Sequence, residues 1–209
     1  MVLIKIEKIK NFCVFVCLFF YHPVFAQTKA VDLGLSVKWA DCNVGAENPS
    51  DAGKYFIWGD PSGMKKSTEI FFSEDVIGDI TGTIRDIAKV NMGGPWRMPT
   101  SNELKELRDS CEWKIENLNG IDGFRVTGKN GASIFLPAIG AYDRGNFRTD
   151  QGAGLWSGTL NKKWNKIDFM LIWIWKENDD MNKEQYRSKV NVRQATMRYK
   201  FNVRAVCDK

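Results

Sequence analysis

The order of hydrophobic and polar positions predicts two short helices in the first half of the chain. In residues 83–91 the apolar positions recur at spacings of three and four, which predicts a helix that ends at Gly93-Gly94. A second helix is predicted after Thr100, because Thr100 and Glu103 have the spacing of a reciprocal capping box. Between the two helices, residues 96–98 lie between two prolines and are predicted to be short and extended.

Beyond residue 112 the hydrophobic period changes to that of β-strands. Three runs at residues 113–117, 123–127 and 132–136 are separated by Asn119-Gly120 and Asn130-Gly131. Asn-Gly between alternating apolar residues is the strongest short-range hairpin signal. We therefore predict an antiparallel meander.

Further strands and two long loops complete the predicted elements. The run 167–175 is apolar on both faces in its later part, which predicts a central strand covered on both sides. Residues 62–82 and 138–154 are predicted to be long surface loops. The other strands are predicted at residues 33–44, 54–58, 155–159, 186–192 and 198–206.

The N-terminus has the pattern of a secretory signal peptide. A lysine-containing start is followed by ten apolar residues at 12–21 and by the small residue Ala26. A membrane anchor is the alternative, but a span needs about 20 apolar residues. We expect cleavage after Ala26, no membrane span afterwards, a single domain over residues 27–209, and export to the periplasm, the cell surface or the medium.

Charge and composition argue against several classes of function. The net charge is +5 and the basic residues are scattered, so no nucleic-acid partner is expected. The chain has a single histidine, His22, inside the predicted signal peptide, which removes the commonest general base and zinc ligand from the rest. Phosphate-loop, dinucleotide and nucleophile-elbow motifs are missing from the sequence. No cofactor, no bound metal and no catalytic residue are therefore expected.

The acidic residues do not change this expectation. Asp179-Asp180 with Glu177 offers oxygen ligands to a hard cation, and Asp143 with Asp150 offers a pair of carboxylates. We interpret the first group as a solvated turn and the second as loop residues whose separation nothing fixes.

Three cysteines follow the predicted signal peptide: Cys42, Cys111 and Cys207. In an oxidising compartment this number favours one disulfide and one free thiol. The preferred pair is Cys42 with Cys207, since both end short strand-like segments near the two termini. The alternative is three buried thiols that act as small apolar residues.

Aromatic residues give the best indication of a binding surface. Of the eight tryptophans, Trp39, Trp58, Trp96 and Trp113 lie inside predicted elements and are assigned to the core, as is Trp156. The remaining three lie in the C-terminal half, where exposed aromatic and charged side chains are expected to meet a ligand. The candidate ligand-binding residues are Tyr142, Asp143, Arg144, Arg148, Trp164, Trp173 and Trp175.

The order of motifs resembles the Fibrobacter succinogenes major paralogous domain family. The resemblance covers nearly all of residues 27–209, and its specific parts are Trp-Arg-Met-Pro-Thr at 96–100 and Val-Arg-Ala-Val-Cys at 203–207. The other segments that carry it are 31–40, 42–46, Tyr55-Phe56, Trp58-Gly59, 111–113, 131–137 and Trp156-Ser157. Ser157-Gly158-Thr159 and Ala205 depart from the family pattern.

The resemblance implies an α+β, C-type-lectin-like fold, with two short helices, antiparallel β meanders and long loops. It also implies an exported, surface-associated domain of a gut-type bacterium, related to the C-terminal domain of a bacterial collagen-like adhesin. The calcium-dependent sugar motif of animal lectins is not reproduced: the nearest segments are Glu47-Asn48-Pro49 and Trp164-Asn165-Lys166. Any sugar binding is therefore expected to be independent of calcium.

Three hypotheses for function follow. The first is a non-enzymatic binding or adhesion domain whose partner is an extracellular glycan or protein. The second is an enzyme related to the formylglycine-generating type, which needs a reactive cysteine pair or a metal-bound thiol near a cleft. The third is a structural module of a surface assembly.

Overall fold

A computed structural model describes residues 28–64, 78–149, 152–177 and 185–209, with side chains for all of these except 175–177 and 185–188. The predicted signal peptide, most of the predicted loop 62–82, and Asp150, Asp179 and Asp180 lie outside the described residues. Within the described ranges, no helix is both long enough and apolar enough to cross a membrane.

Antiparallel sheets make up most of the described structure, together with two short helices, which gives an α+β architecture. The helices are α1 (Ile87–Met92) and α2 (Ser101–Ser110). The strands are β1 (Ala30–Asp32), β2 (Lys38–Asn43), β3 (Glu112–Leu118), β4 (Ile121–Thr127), β5 (Ser133–Pro137), β6 (Ala141–Asp143), β7 (Asn146–Arg148), β8 (Ala153–Asn161), β9 (Lys166–Glu177), β10 (Gln185–Ala195), β11 (Tyr199–Lys200) and β12 (Arg204–Cys207).

The described strands form four sheets of three strands each, in the orders β1-β2-β12, β3-β4-β5, β8-β9-β10 and β7-β6-β11. The predicted meander is confirmed as β3-β4-β5. Its first turn joins Leu118 to Ile121, with Asn119 and Gly120 at φ 54° and 83°, the left-handed geometry that Asn-Gly favours. The last strand, β12, pairs with β2, so the two ends of the described chain lie side by side.

Strand β9 lies between β8 and β10 and is buried on both faces, as predicted. Ile167, Phe169 and Leu171 join one cluster of buried side chains, which also contains Trp58 and Trp156. Met170 and Ile172 point the other way, into a second cluster with Trp39, Leu104 and Phe124. The alternation of side chains along one strand therefore divides the interior into two cores.

The tryptophans assigned to the core from the sequence are buried or packed against these clusters. Trp39, Trp58 and Trp156 are almost fully buried, and Trp96 and Trp113 are partly buried against the cores.

Two predicted elements are corrected by the structure. Residues 54–58 are not a strand: Phe56, Ile57 and Trp58 are consecutively buried, and Phe56 makes only an isolated bridge to Phe201. Residues 138–154 are not only a loop, because they contain the hairpin of β6 and β7. Its turn is Arg144-Gly145, at φ 49° and 85°, a left-handed pair without the Asn that usually marks such a turn. The strand predicted at 33–44 corresponds to β2, which begins only at Lys38, and β1 (Ala30–Asp32) was not predicted.

The segment between the helices is fixed by two acidic side chains. Asp86 is buried, caps α1 by accepting the Lys89 amide, and also accepts the Met98 amide at 2.9 Å. Glu103 completes the predicted capping box: it accepts the Thr100 amide at 2.7 Å, and the Thr100 hydroxyl accepts the Glu103 amide at 3.2 Å. The same carboxylate binds the Arg97 guanidinium at 2.7 and 3.0 Å.

Arg204 on β12 is fully buried and joins two sheets. Its guanidinium donates to the Asn43 side chain at 2.9 Å and to the Ala40 carbonyl at 3.1 Å, both on β2, and to the Phe135 carbonyl on β5 at 2.9 Å. Burial lowers the pKa of Arg204 to about 10, so the group remains charged at neutral pH. A buried cation is thus held by neutral acceptors from two other strands.

We expect Arg204→Met to lower the free energy of unfolding by about 3 kcal/mol or more, because buried acceptors lose a charged donor. Urea unfolding followed by tryptophan fluorescence measures this change. Arg108→Met is the matched control: Arg108 is only partly buried and pairs with the exposed Asp109, so about 1 kcal/mol or less is expected. Equal losses in the two variants would contradict a special role for Arg204.

A second prediction concerns acid stability. Burial raises the pKa of Glu103, but the hydrogen bonds from Arg97 and Thr100 outweigh it and leave the pKa below its ordinary value of 4.5. A lowered pKa in the folded state means that this stabilisation is present above pH 4.5 and disappears as the pH falls through the folded-state pKa.

The difference in unfolding free energy between the wild type and Glu103→Gln should therefore shrink as the pH is lowered from about 5 to about 3. Urea titrations at several pH values test this. The exposed Glu112→Gln on β3 serves as the control and should follow the wild-type curve. A difference for Glu103→Gln that does not change with pH would argue against the assignment.

Candidate ligand-binding cleft

A cleft of about 730 Å³ lies where the small sheet β7-β6-β11 faces the segment that precedes Phe56. Its volume is within the range of sites that bind small molecules. The lining residues are Gly53, Lys54, Tyr55, Ser62, Gly63, Tyr142, Arg144, Gly145, Arg198 and Lys200.

The segment that carries Lys54 and Tyr55 is held in place by two buried asparagines. The Asn202 side-chain amide donates to the carbonyls of Ala52 at 2.8 Å and Lys54 at 3.1 Å. Asn43 on β2 donates to the same Ala52 carbonyl at 2.9 Å. An irregular segment is thereby fixed against the sheets, which gives Tyr55 a defined position in the cleft.

Aromatic rings form one wall. Tyr142 on β6 lies opposite Phe147 on β7 and opposite Lys200 on β11, so these three side chains share one face of the small sheet. The Tyr55 ring packs edge-on against Tyr142 at 5.2 Å and against Phe147 at 5.8 Å between centroids. Tyr142 and Phe147 are 5.0 Å apart, which completes a three-ring cluster.

The Tyr55 hydroxyl is buried and has no hydrogen-bond partner among the described residues. Burial, with a smaller effect from Tyr142, raises the pKa of Tyr55 to about 12, so the hydroxyl stays neutral at physiological pH. Leaving a buried polar group unpaired costs about 1–3 kcal/mol. The hydroxyl therefore keeps an unused capacity to donate and to accept a hydrogen bond.

The charge of the lining is positive. Lys54, Arg144, Arg198 and Lys200 contribute four cations, and no described lining residue is acidic. Arg198 is engaged: its Nε lies 3.2 Å from an Asp143 oxygen, and its guanidinium lies over the Tyr199 ring and donates to the Tyr199 hydroxyl. Within the described part of the chain, no carboxylate forms an ion pair with the other three cations.

The structure brings together two of the seven predicted site residues, Tyr142 and Arg144. Asp143 is not a lining residue but pairs with Arg198, which is one, and Arg148 lies at the far end of β7, opposite Ala141. Trp164 is 57 % exposed in the β8–β9 turn, with the Lys163 ammonium 5.0 Å from its ring centroid.

The other two predicted residues lie on β9. Trp173 lines a separate pocket of about 290 Å³ that also includes Phe169, Tyr199 and Phe201. The side chain of Trp175 lies outside the described residues. Tyr199 alternates with Lys200, so the small sheet presents one face to the cleft and the other to this apolar pocket.

Four central residues of the cleft were missed by sequence reasoning: Lys54, Tyr55, Arg198 and Lys200. A usable signal existed for the last two. In the run from 198 to 201, basic residues alternate with Tyr199 and Phe201, which places the cations on the face opposite the core. Lys54 and Tyr55 gave no such signal, because the aromatic-rich run 54–58 predicts a strand.

The expected disulfide is absent. Cys42, Cys111 and Cys207 are free, and β12 pairs with β2 in a register that places Cys207 opposite Lys38. Cys42 is four residues farther along β2, about 13 Å at the rise of a strand. A disulfide needs Cα atoms about 4.4–6.8 Å apart, so the pairing of Cys42 with Cys207 was wrong.

Burial governs the chemistry of these thiols. It raises the pKa of Cys42 to about 11 and also raises the pKa values of Cys111 and Cys207. The thiolate is the reactive form of cysteine, so a raised pKa lowers reactivity at neutral pH. None of the three lines the cleft. Across the described ranges, no group of three or more His, Cys, Asp or Glu side chains is placed to hold a metal ion.

Comparison of the chain with family models, with curated proteins and with solved structures finds no match. Function is therefore inferred from the geometry and chemistry of the cleft.

We expect Tyr55→Phe to leave the free energy of unfolding unchanged or to raise it by up to about 1 kcal/mol, because the substitution removes an unpaired buried hydroxyl. Tyr199→Phe is the matched control. It removes a hydroxyl that accepts from Arg198 and should lower stability by up to about 1 kcal/mol. Urea unfolding of the three proteins side by side measures both changes. A clear loss of stability in Tyr55→Phe would show that the hydroxyl already has a partner.

Proposed function

We propose that the protein is an exported, non-enzymatic binding or adhesion domain that holds an extracellular ligand, a glycan or a protein, in the cleft without calcium. Export is inferred from the signal-peptide pattern of residues 1–26. A C-type-lectin-like fold is part of the proposal, since the α+β architecture with two short helices and antiparallel meanders is compatible with it.

One observation carries the proposal: the cleft gathers polar groups that lack partners in the described structure. The Tyr55 hydroxyl is buried and unpaired, and Lys54, Arg144 and Lys200 have no carboxylate partner. These groups surround the rings of Tyr55 and Tyr142, which pack edge to face and offer apolar contact. An apolar wall with a few convergent polar groups is the usual character of a small-molecule site.

The chemistry of the lining supports binding over catalysis. No cysteine, histidine, aspartate or glutamate is among the described lining residues. Ser62 does line the cleft, but its hydroxyl donates to the Asp60 carboxylate at 2.5 Å. The formylglycine-generating alternative needs a reactive cysteine pair. Cys42 and Cys207 are buried and separated along the sheet, and their pKa values are raised.

The same lining supports calcium independence. Calcium takes six to eight oxygen ligands, including carboxylates. Two described carboxylates lie next to the cleft: that of Asp143 pairs with Arg198, and that of Asp60 accepts from Ser62. The lining itself carries positive charge.

The experiment is a glycan and extracellular-matrix array with the purified protein, run with calcium and with a chelator. We expect saturable binding that survives chelation and weakens about tenfold or more in Tyr142→Ala, which removes the central ring of the cleft. Thermal unfolding of each variant confirms that it is folded.

Trp164→Ala is the matched control, because Trp164 is an exposed aromatic residue in the β8–β9 turn and does not line the cleft. Its affinity should equal that of the wild type. Binding that is lost in Trp164→Ala and kept in Tyr142→Ala would place the site at the turn and overturn the proposal for the cleft.

A further inference from the structure

We infer that the cleft recognises a saccharide that carries an anionic group, a carboxylate or a sulfate. The inference rests on the proposed function and narrows its ligand to one chemical class.

The charge balance of the cleft carries the anionic part. Four basic side chains line it, from three separate parts of the chain, and only Arg198 is matched by a carboxylate. Cations that converge on one cleft repel one another, and an anion placed between them removes that repulsion. The guanidinium of Arg144, on the β6–β7 turn, presents a planar fork that suits a carboxylate or a sulfate.

The positions of these cations are set by the backbone. Lys200 lies opposite Tyr142 in the register of β11 and β6, and the Arg144 amide donates to the Arg198 carbonyl at 3.2 Å. Lys54 is fixed from the other side by Asn202, which binds the Lys54 carbonyl. The two parts are joined, because Phe56 and Phe201 exchange backbone hydrogen bonds of 2.9 and 3.0 Å, so one framework brings these charges to the cleft.

The saccharide part follows from the neutral groups. Aromatic rings provide apolar contact for the C–H face of a sugar ring, and Tyr55 and Tyr142 both line the cleft, packed edge to face with centroids 5.2 Å apart. The unpaired Tyr55 hydroxyl suits a ligand rich in hydroxyl groups, since each of these is both donor and acceptor. A concave site of about 730 Å³ suits a short oligosaccharide better than a folded protein, which needs about 800 Å² of surface on each partner.

Isothermal titration calorimetry of the full-length protein with matched probes tests the inference. One pair is trigalacturonic acid and its methyl ester, and the other is a sulfated galactose oligosaccharide and its desulfated form. We expect at least one anionic probe to bind at least about tenfold more tightly than its neutral counterpart, and its affinity to fall as NaCl is raised. The pair that shows the preference identifies carboxylate or sulfate as the source of the charge.

Arg144→Gln and Lys200→Gln should each weaken binding of the anionic probe about tenfold and reduce its salt dependence, while leaving any binding of the neutral probe unchanged. Lys163→Gln is the control, because Lys163 is an exposed lysine of the β8–β9 turn outside the cleft. It should bind every probe as the wild type does.

The possible failures are distinguishable. If the neutral probes bind as tightly as the anionic ones and Tyr142→Ala abolishes both, the proposed function stands and the anionic preference is wrong. If a tetra-aspartate peptide binds as tightly as the best saccharide, the saccharide assignment is wrong. If no probe binds and the arrays are blank for the folded protein, both the proposed function and this inference are overturned.

Discussion

The fold depends on one buried cation. Arg204 lies on the last strand and reaches two other strands, with hydrogen bonds to Ala40, Asn43 and Phe135. Two of these partners precede it by more than 160 residues, so β2, the meander and β12 must all be in place before the charge is satisfied. A guanidinium without acceptors is too costly to bury, which makes any partly assembled arrangement of these sheets unfavourable. The arginine thus couples distant parts of the chain into one unit.

The sheets that Arg204 holds together also position the residues of the cleft. Strand β9 separates the two cores. Its neighbour β8 supports the chain that follows β11, because the backbone amide of Asn202 donates to the Gly154 carbonyl. The Asn202 side chain also holds the segment that carries Lys54 and Tyr55, so the same buried residue fixes both walls of the cleft. Tyr142 is fixed by its register with Phe147 and Lys200. A site built in this way is organised before a ligand arrives, which lowers the entropy lost on binding.

Local signals in the sequence were sufficient for the elements that local chemistry specifies. Asn119-Gly120 fixed the first turn of the meander, and Thr100 with Glu103 fixed the start of α2. Elements that depend on distant contacts were missed or misassigned. Tyr55 and Phe56 belong to an aromatic run that predicts a strand, yet Phe56 pairs with Phe201 only in an isolated bridge, which depends on tertiary packing. Spacing along the chain also says nothing about strand register, which is what separates Cys42 from Cys207. Only part of the cleft was predicted, for the same reason: Tyr142 and Arg144 belong to one hairpin, whereas Lys54 and Lys200 meet them only in three dimensions.

The two faces of the small sheet contact different parts of the molecule. Ala141, Tyr199 and Phe201 turn toward the apolar pocket and the core, whereas Tyr142, Arg144 and Lys200 turn toward the cleft. Substitutions at the second set leave the packing of the first set untouched, so the selectivity of the cleft can change while the scaffold is conserved. Under the proposed binding function, exchange of alternate residues on two short strands would therefore change the ligand while the buried face of the sheet stays the same.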